Sequence, residues 1–138
     1  MNTDADFDHV YYQHRSEGTV LFNPPKKGSP QDWWAILQVD PGIQRLYAWF
    51  LRRYGVSFEQ GVRNGAHVSF IKGEVPLKPE LWGINPGPVE FFYTGLVRFN
   101  DYHVWIDVWS QRLHEIRANL GLSPRTKMSF HMTVGRRE

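Results

Sequence analysis

The chain has 138 residues, a net charge of +2 and no cysteine. That length fits one domain, and the charge is too small for tight binding along duplex nucleic acid, which takes clustered Lys and Arg. The missing thiols exclude disulfides, thiol nucleophiles and cysteine-ligated metals.

The polar segment 1–17 carries Asp4, Asp6, Asp8, His9, His14 and Arg15 and predicts a flexible arm ahead of a single domain over 18–138. Gly18 to Phe22 is a short strand. Residues 23–30, with Pro24, Pro25 and Pro30, form a loop in which Lys26 and Lys27 are solvated or meet phosphate. Trp33 to Val39 is apolar on both faces and predicts a central strand. Asp40-Pro41 then opens a helix, as cap and first-turn residue, with Ile43, Leu46, Tyr47, Phe50 and Leu51 at helical spacing, that stops near Gly55. A loop with Gly61, Asn64 and Gly65 precedes a strand at His67. Residues 73–88 are rich in Pro and Gly and read as a long connection anchored by Leu81-Trp82. Val89–Phe99 and Tyr102–Trp109 make a hairpin about Asn100-Asp101. Ser110 caps a second helix through Leu113, Ile116, Arg117 and Leu120, ending near Gly121, with His114 on its solvated face. The last strand contains His131. Nothing in this order approaches the ~20 apolar residues of a spanning helix, and Met1-Asn2-Thr3-Asp4 has no signal-peptide pattern. A soluble, cytoplasmic chain is expected.

Two stretches repeat a chemical theme. His67-Val68-Ser69-Phe70 and Phe130-His131-Met132-Thr133-Val134 each alternate apolar residues with an imidazole and a hydroxyl. In a strand, successive side chains point to opposite faces. Each motif therefore packs one face on a core and presents His and Ser or Thr on the other. Two imidazoles supply an acid and a base without a metal or other cofactor, the minimum for transfer at a phosphodiester. The His-x-Ser/Thr pattern alone is common, and His14-Arg15-Ser16 also fits it, but without apolar alternation. A strand histidine is otherwise a satisfied part of a core. Two strand–helix–strand units, each closing on its motif, predict an α+β fold. Its two pseudo-symmetric lobes carry antiparallel sheets flanking a central cleft, with helices on the outside.

Longer strings carry a family likeness. His67-Val68-Ser69-Phe70-Ile71-Lys72-Gly73-Glu74-Val75-Pro76, Leu81-Trp82, Gln31-Asp32-Trp33-Trp34-Ala35-Ile36-Leu37 and His131-Met132-Thr133-Val134-Gly135-Arg136 resemble the two-histidine phosphoesterase superfamily. They are similar in particular to its phage branch of anti-CBASS cyclic-oligonucleotide phosphodiesterases. The resemblance spans about residues 18–136. It implies His67, Ser69, His131 and Thr133 as catalytic residues, no metal, and a cyclic di- or trinucleotide second messenger, such as cGAMP, as substrate. The enzyme would act in the host cytoplasm, in evasion of bacterial defence. In that branch a C-terminal segment closes over the ligand. Here five residues follow Thr133, so the expected cover is the N-terminal arm or none.

Beside the catalytic four, Trp82, Trp105 and His103 are candidates to hold the substrate, the tryptophans by stacking a base. Trp33 and Trp34 share that option with a place in the core. Lys72 and Arg136 offer positive charge, although strict alternation turns each away from its own histidine. A zinc site from two histidines and a carboxylate lacks a carboxylate at suggestive spacing. No membrane or long nucleic acid is expected as a partner, and the chain is expected to be a monomer. Two other readings remain: an RNA-end 2′,3′-cyclic phosphodiesterase or repair enzyme of the same superfamily, and a non-catalytic sponge for cyclic nucleotides.

Overall fold

A computed structural model describes residues 7–24, 32–55, 58–59, 66–126 and 128–137. The described elements run β1 (His14–Phe22), β2 (Trp34–Gln38), α1 (Pro41–Arg53), β3 (Phe58–Glu59), β4 (His67–Lys72), β5 (Val89–Phe99), β6 (His103–Trp109), α2 (Gln111–Asn119) and β7 (Phe130–Arg137). The fold is α+β. Six antiparallel strands in the order β7-β4-β2-β1-β5-β6 close into a barrel, because β6 pairs back onto β7. The short β3 adds to the end of β7, with Phe58 opposite Arg137. No described helix is long and apolar enough to cross a membrane.

Local chemistry accounts for the element ends. Asp40 has extended backbone and its carboxylate accepts from Gly42 N at 2.8 Å, while Pro41 fills the first helical position of α1. Ser110 caps α2 by accepting from Leu113 N at 3.3 Å, and its hydroxyl donates to the Glu90 carbonyl of β5 at 2.8 Å. Gly121 follows α2 with φ +82°, and a Cβ there would lie 2.7 Å from Leu77 Cβ, so both backbone and packing require glycine. The β5–β6 turn is held by Asn100, whose side-chain oxygen accepts from the backbone N–H groups of Tyr102 and His103, each at 2.8 Å.

β2 lies between β1 and β4, which explains why Trp34, Ala35, Ile36 and Leu37 are all buried. The main core joins Ile43, Tyr47 and Ala48 of α1 and Leu113, Ile116 and Leu120 of α2 to Leu37, Val68, Ile106 and Met132 of the strands. Each such side chain contributes roughly 1.5–3 kcal/mol by leaving water. The other face of the central strands is therefore turned from the helices.

Three features depart from the sequence expectations, the first being that Leu46 and Phe50 of the α1 series are exposed. β1 begins at His14, so residues 14–17 of the expected arm are strand, paired with β5. His114 is buried rather than solvated, packed against Trp109 and Phe130 with ring centroids 4.8 Å away in each case; its Nδ1 meets the Pro124 carbonyl. Arg117, on the inner stripe of α2, is 1% exposed. It forms a bidentate pair with Glu74 at 2.7 and 2.8 Å and also donates to the carbonyls of Ser123 and Phe70, each at 2.8 Å. The loop with Gly61, Asn64 and Gly65 lies outside the described residues, as do Lys26 and Lys27.

Candidate functional site

β4 and β7 are neighbours, antiparallel, with Val68 opposite Met132. Both of these side chains are buried in the helix-side core. Carried one residue either way, that register sets His67 against Thr133 and Ser69 against His131. Each imidazole thus stands beside the hydroxyl of the other motif. All four side chains are half-buried, and all four line one cavity of about 660 Å³. Trp34, Lys72, His103 and Trp105 share its wall, with Asn100 and Met128.

Strict alternation fails after each motif. In the β2–β4 ladder Ile36 is opposite Ser69, but Ala35 is opposite Ile71, so Phe70 is one residue extra. In the β6–β7 ladder Trp105 is opposite Thr133, but Val104 is opposite Gly135, so Val134 is extra. An extra residue shifts every later side chain by one face. Lys72 consequently falls opposite Trp34 and lines the cavity, contrary to the sequence expectation. Arg136 falls opposite His103, exposed and off the cavity wall. The two bulges occupy the same place in the two motifs, directly after the hydroxyl residue. Arg117 holds the first of them by donating to the carbonyl of Phe70.

A tryptophan attends each histidine. The Trp34 ring lies edge-on to His67, centroids 6.0 Å apart, and Trp105 lies 6.4 Å from His131. The Trp34 indole N–H donates to Ser69 Oγ at 3.0 Å. His131 Nδ1 sits 3.4 Å from the Ser129 carbonyl, a long contact. Arg98 places its guanidinium 5.8 Å from the Trp105 ring centre.

Asp107 is opposite His131 in the β6–β7 ladder and nearly buried. Its Oδ2 accepts from the Tyr11 hydroxyl at 2.6 Å and from Arg98 at 3.0 Å. Burial, and then the bond to Asp107, pushes the Tyr11 phenol up to about 12. The segment ahead of β1 is thus docked against the barrel beside the second motif, with Phe7 packed on Phe92 and Trp109. Asp107 is not among the candidate residues named from the sequence. A lone aspartate among aromatic residues on a strand was the available signal.

Trp82 stands elsewhere. Its ring packs against Phe22 and Trp33, at 4.9 and 5.1 Å, and its Nε1 is buried with no hydrogen-bond partner among the described residues. His14 stacks with Tyr93 at a second, apolar cavity of about 500 Å³ beside α1, and His9 packs on Phe7. Among the described residues no group of three or more His, Asp or Glu is arranged to hold a metal ion. No family model, curated protein or solved structure matches the chain.

Proposed function

We propose that the protein is a metal-independent phosphodiesterase of the two-histidine type, acting on 3′–5′ bonds of cyclic di- or trinucleotides. One observation carries the reading. Two His/hydroxyl pairs, far apart in the chain, line a single cavity from adjacent antiparallel strands. The cavity volume is within the range of small-ligand sites, about 300–1,000 Å³.

On this reading one imidazole takes the proton of a ribose 2′-hydroxyl. The freed oxygen attacks the adjacent phosphorus, and the bond from phosphorus to the 5′-oxygen breaks. The other imidazole, protonated, gives its proton to that leaving oxygen. A 2′,3′-cyclic phosphate results, and water opens it with the two roles reversed. An imidazole of ordinary pKa, about 6.5, suits both steps, and each such group contributes about 10²–10⁴ in rate. Ser69 and Thr133 donate to the non-bridging oxygens as charge builds on them, and Lys72 supplies a cation at the same wall. The units β2–α1–β4 and β6–α2–β7 are then the equivalent halves, and the groove over β4 and β7 is the cleft between them. Destroying a nucleotide alarm signal is the biological role that fits this substrate.

Product chromatography on a panel of cyclic oligonucleotides in EDTA tests the proposal. Ribose rings are cleaved and 2′-deoxy rings survive. Inert ribose rings or a strict metal requirement would overturn it. Linear RNA ending in a 2′,3′-cyclic phosphate, run beside them, detects the RNA-end activity. Binding without turnover, unchanged in His67→Ala/His131→Ala, identifies a sponge.

A further inference from the structure

We infer that Trp34 is a positioning residue that orients Ser69 as a hydrogen-bond donor to an anionic ligand oxygen. A serine hydroxyl has one proton to give and lone pairs that accept. At Ser69 a lone pair is engaged by the Trp34 indole N–H at 3.0 Å. The indole accepts nothing in return, because its nitrogen is a donor only. With one lone pair so engaged and no acceptor for its proton among the described residues, Ser69 has that proton to give to a ligand in the cavity. A donor that is itself receiving a hydrogen bond is polarised and gives a stronger one. Phosphate oxygens, which only accept, are the complementary ligand.

Trp34 is built for this aim rather than merely packed. It is 6% exposed, yet it lines the cavity. Its backbone N–H donates to the Asn23 side chain at 3.1 Å, and its ring braces His67. The residue before it, Trp33, is left-handed at φ 52°, a conformation a bulky side chain adopts only under constraint. Gly73 N, just past β4, donates to the Trp33 carbonyl at 3.1 Å and Trp82 packs on its ring, so the strained turn is held from two sides. Trp34 thus meets both members of the first motif, one in an edge-to-face ring contact and one through a proton.

The identity of the anion rests on the phosphodiesterase reading, but the test does not require turnover. Inorganic phosphate is titrated into wild type, Trp34→Phe, Ser69→Ala and the double variant. The ring of Phe removes the donor and keeps part of the packing, and the comparison with the double variant separates the lost bond from the lost volume. Trp34→Phe is expected to weaken phosphate binding about threefold to tenfold. The double variant is expected to bind no more weakly than Ser69→Ala, since Trp34 acts through Ser69. In amide and indole NMR spectra the Trp34 Nε1–H signal moves on adding phosphate to wild type, and it moves upfield in Ser69→Ala without ligand. Unchanged affinity in Trp34→Phe, effects of the two substitutions that multiply, or no phosphate binding by wild type would each overturn the inference. Coupling in an enzyme that cleaves none of the cyclic oligonucleotides would sink the functional reading alone. Cleavage without coupling would sink this inference alone.

Discussion

Lys72 stands opposite Trp34 in the ladder between β2 and β4, on the same wall as His67 and Ser69. One extra residue, Phe70, puts it there. The same device after Thr133 sets Arg136 opposite His103.

Lys72 is expected to hold substrate charge. Lys72→Ala should raise the KM for an anionic nucleotide about tenfold with kcat changed less, and Lys72→Arg should recover most of it. The loss should shrink at high salt, where screening weakens the wild-type attraction. Arg136→Ala should do less, since Arg136 is exposed and off the wall. Steady-state kinetics at two ionic strengths decide the point.

His67→Ala and His131→Ala should each lower kcat by about 10²–10⁴, and the double variant should be little worse than the poorer single one. The wild-type profile of kcat/KM against pH should be bell-shaped, with one limb lost in each variant. Both rings are half-buried, so the free energy of unfolding should fall by no more than about 1 kcal/mol. A large loss of stability would assign these histidines to the core.

Arg117 is fully buried and tied to Glu74, Phe70 and Ser123. Arg117→Ala leaves two carbonyls and a carboxylate without their donor and should cost about 3–5 kcal/mol in urea unfolding. The hydrogen bond from Arg117 holds the Glu74 carboxyl below its ordinary value of 4.5. A depressed carboxyl stabilises the fold fully above that value, and the stabilisation is lost as pH falls through the lower folded one. Glu74→Gln should therefore flatten the acid limb of stability, and it should also lower neutral stability by more than an exposed pair would, since it leaves the buried Arg117 without its counter-charge. Because Arg117 holds the Phe70 bulge, a folded Arg117→Lys variant should also show part of the Lys72→Ala rise in KM.

Tyr11 donates to Asp107, and its phenol rises to about 12, chiefly through burial. Tyr47, also buried, rises to about 12. A raised phenol stabilises the fold fully below the ordinary value of 10.0 and ceases to do so as pH climbs through about 12. Tyrosinate absorbance should show a late step of which Tyr11→Phe and Tyr47→Phe each remove part. Tyr11→Phe should also lessen the loss of stability over that alkaline window.

Much of the fold was legible because its causes are local. Asp40-Pro41 and Ser110 cap their helices, Asn100 makes its turn, and the apolar run at Trp34–Leu37 forms an inner strand. The motif residues were legible for the same reason: period-two alternation places them on one face. The bulges were harder to read, since one added residue leaves no gap in an apolar run. Their trace is a buried pair of neighbours, Phe70-Ile71 and Val134-Gly135, where alternation expects one side chain out. His114 was misread because the aromatic residues that cover it, Trp109 and Phe130, arrive from flanking strands. The Trp34–Ser69 and Tyr11–Asp107 bonds join residues 35 and 96 positions apart. No local pattern reports such pairs.

Barrel closure has a mechanical consequence. β4 is bonded to β2 and β7, and β7 to β4 and β6. Neither imidazole rides on a rim that can peel away, so shifting one means dragging two flanking strands with it. The wall works as a jig that fixes the spacing of the two rings. Adaptation to a guest is left to rotating side chains and to the fringe around Asn100 and Met128, and backbone amides of Val68 and Met132 should be among the slowest to trade hydrogen for deuterium.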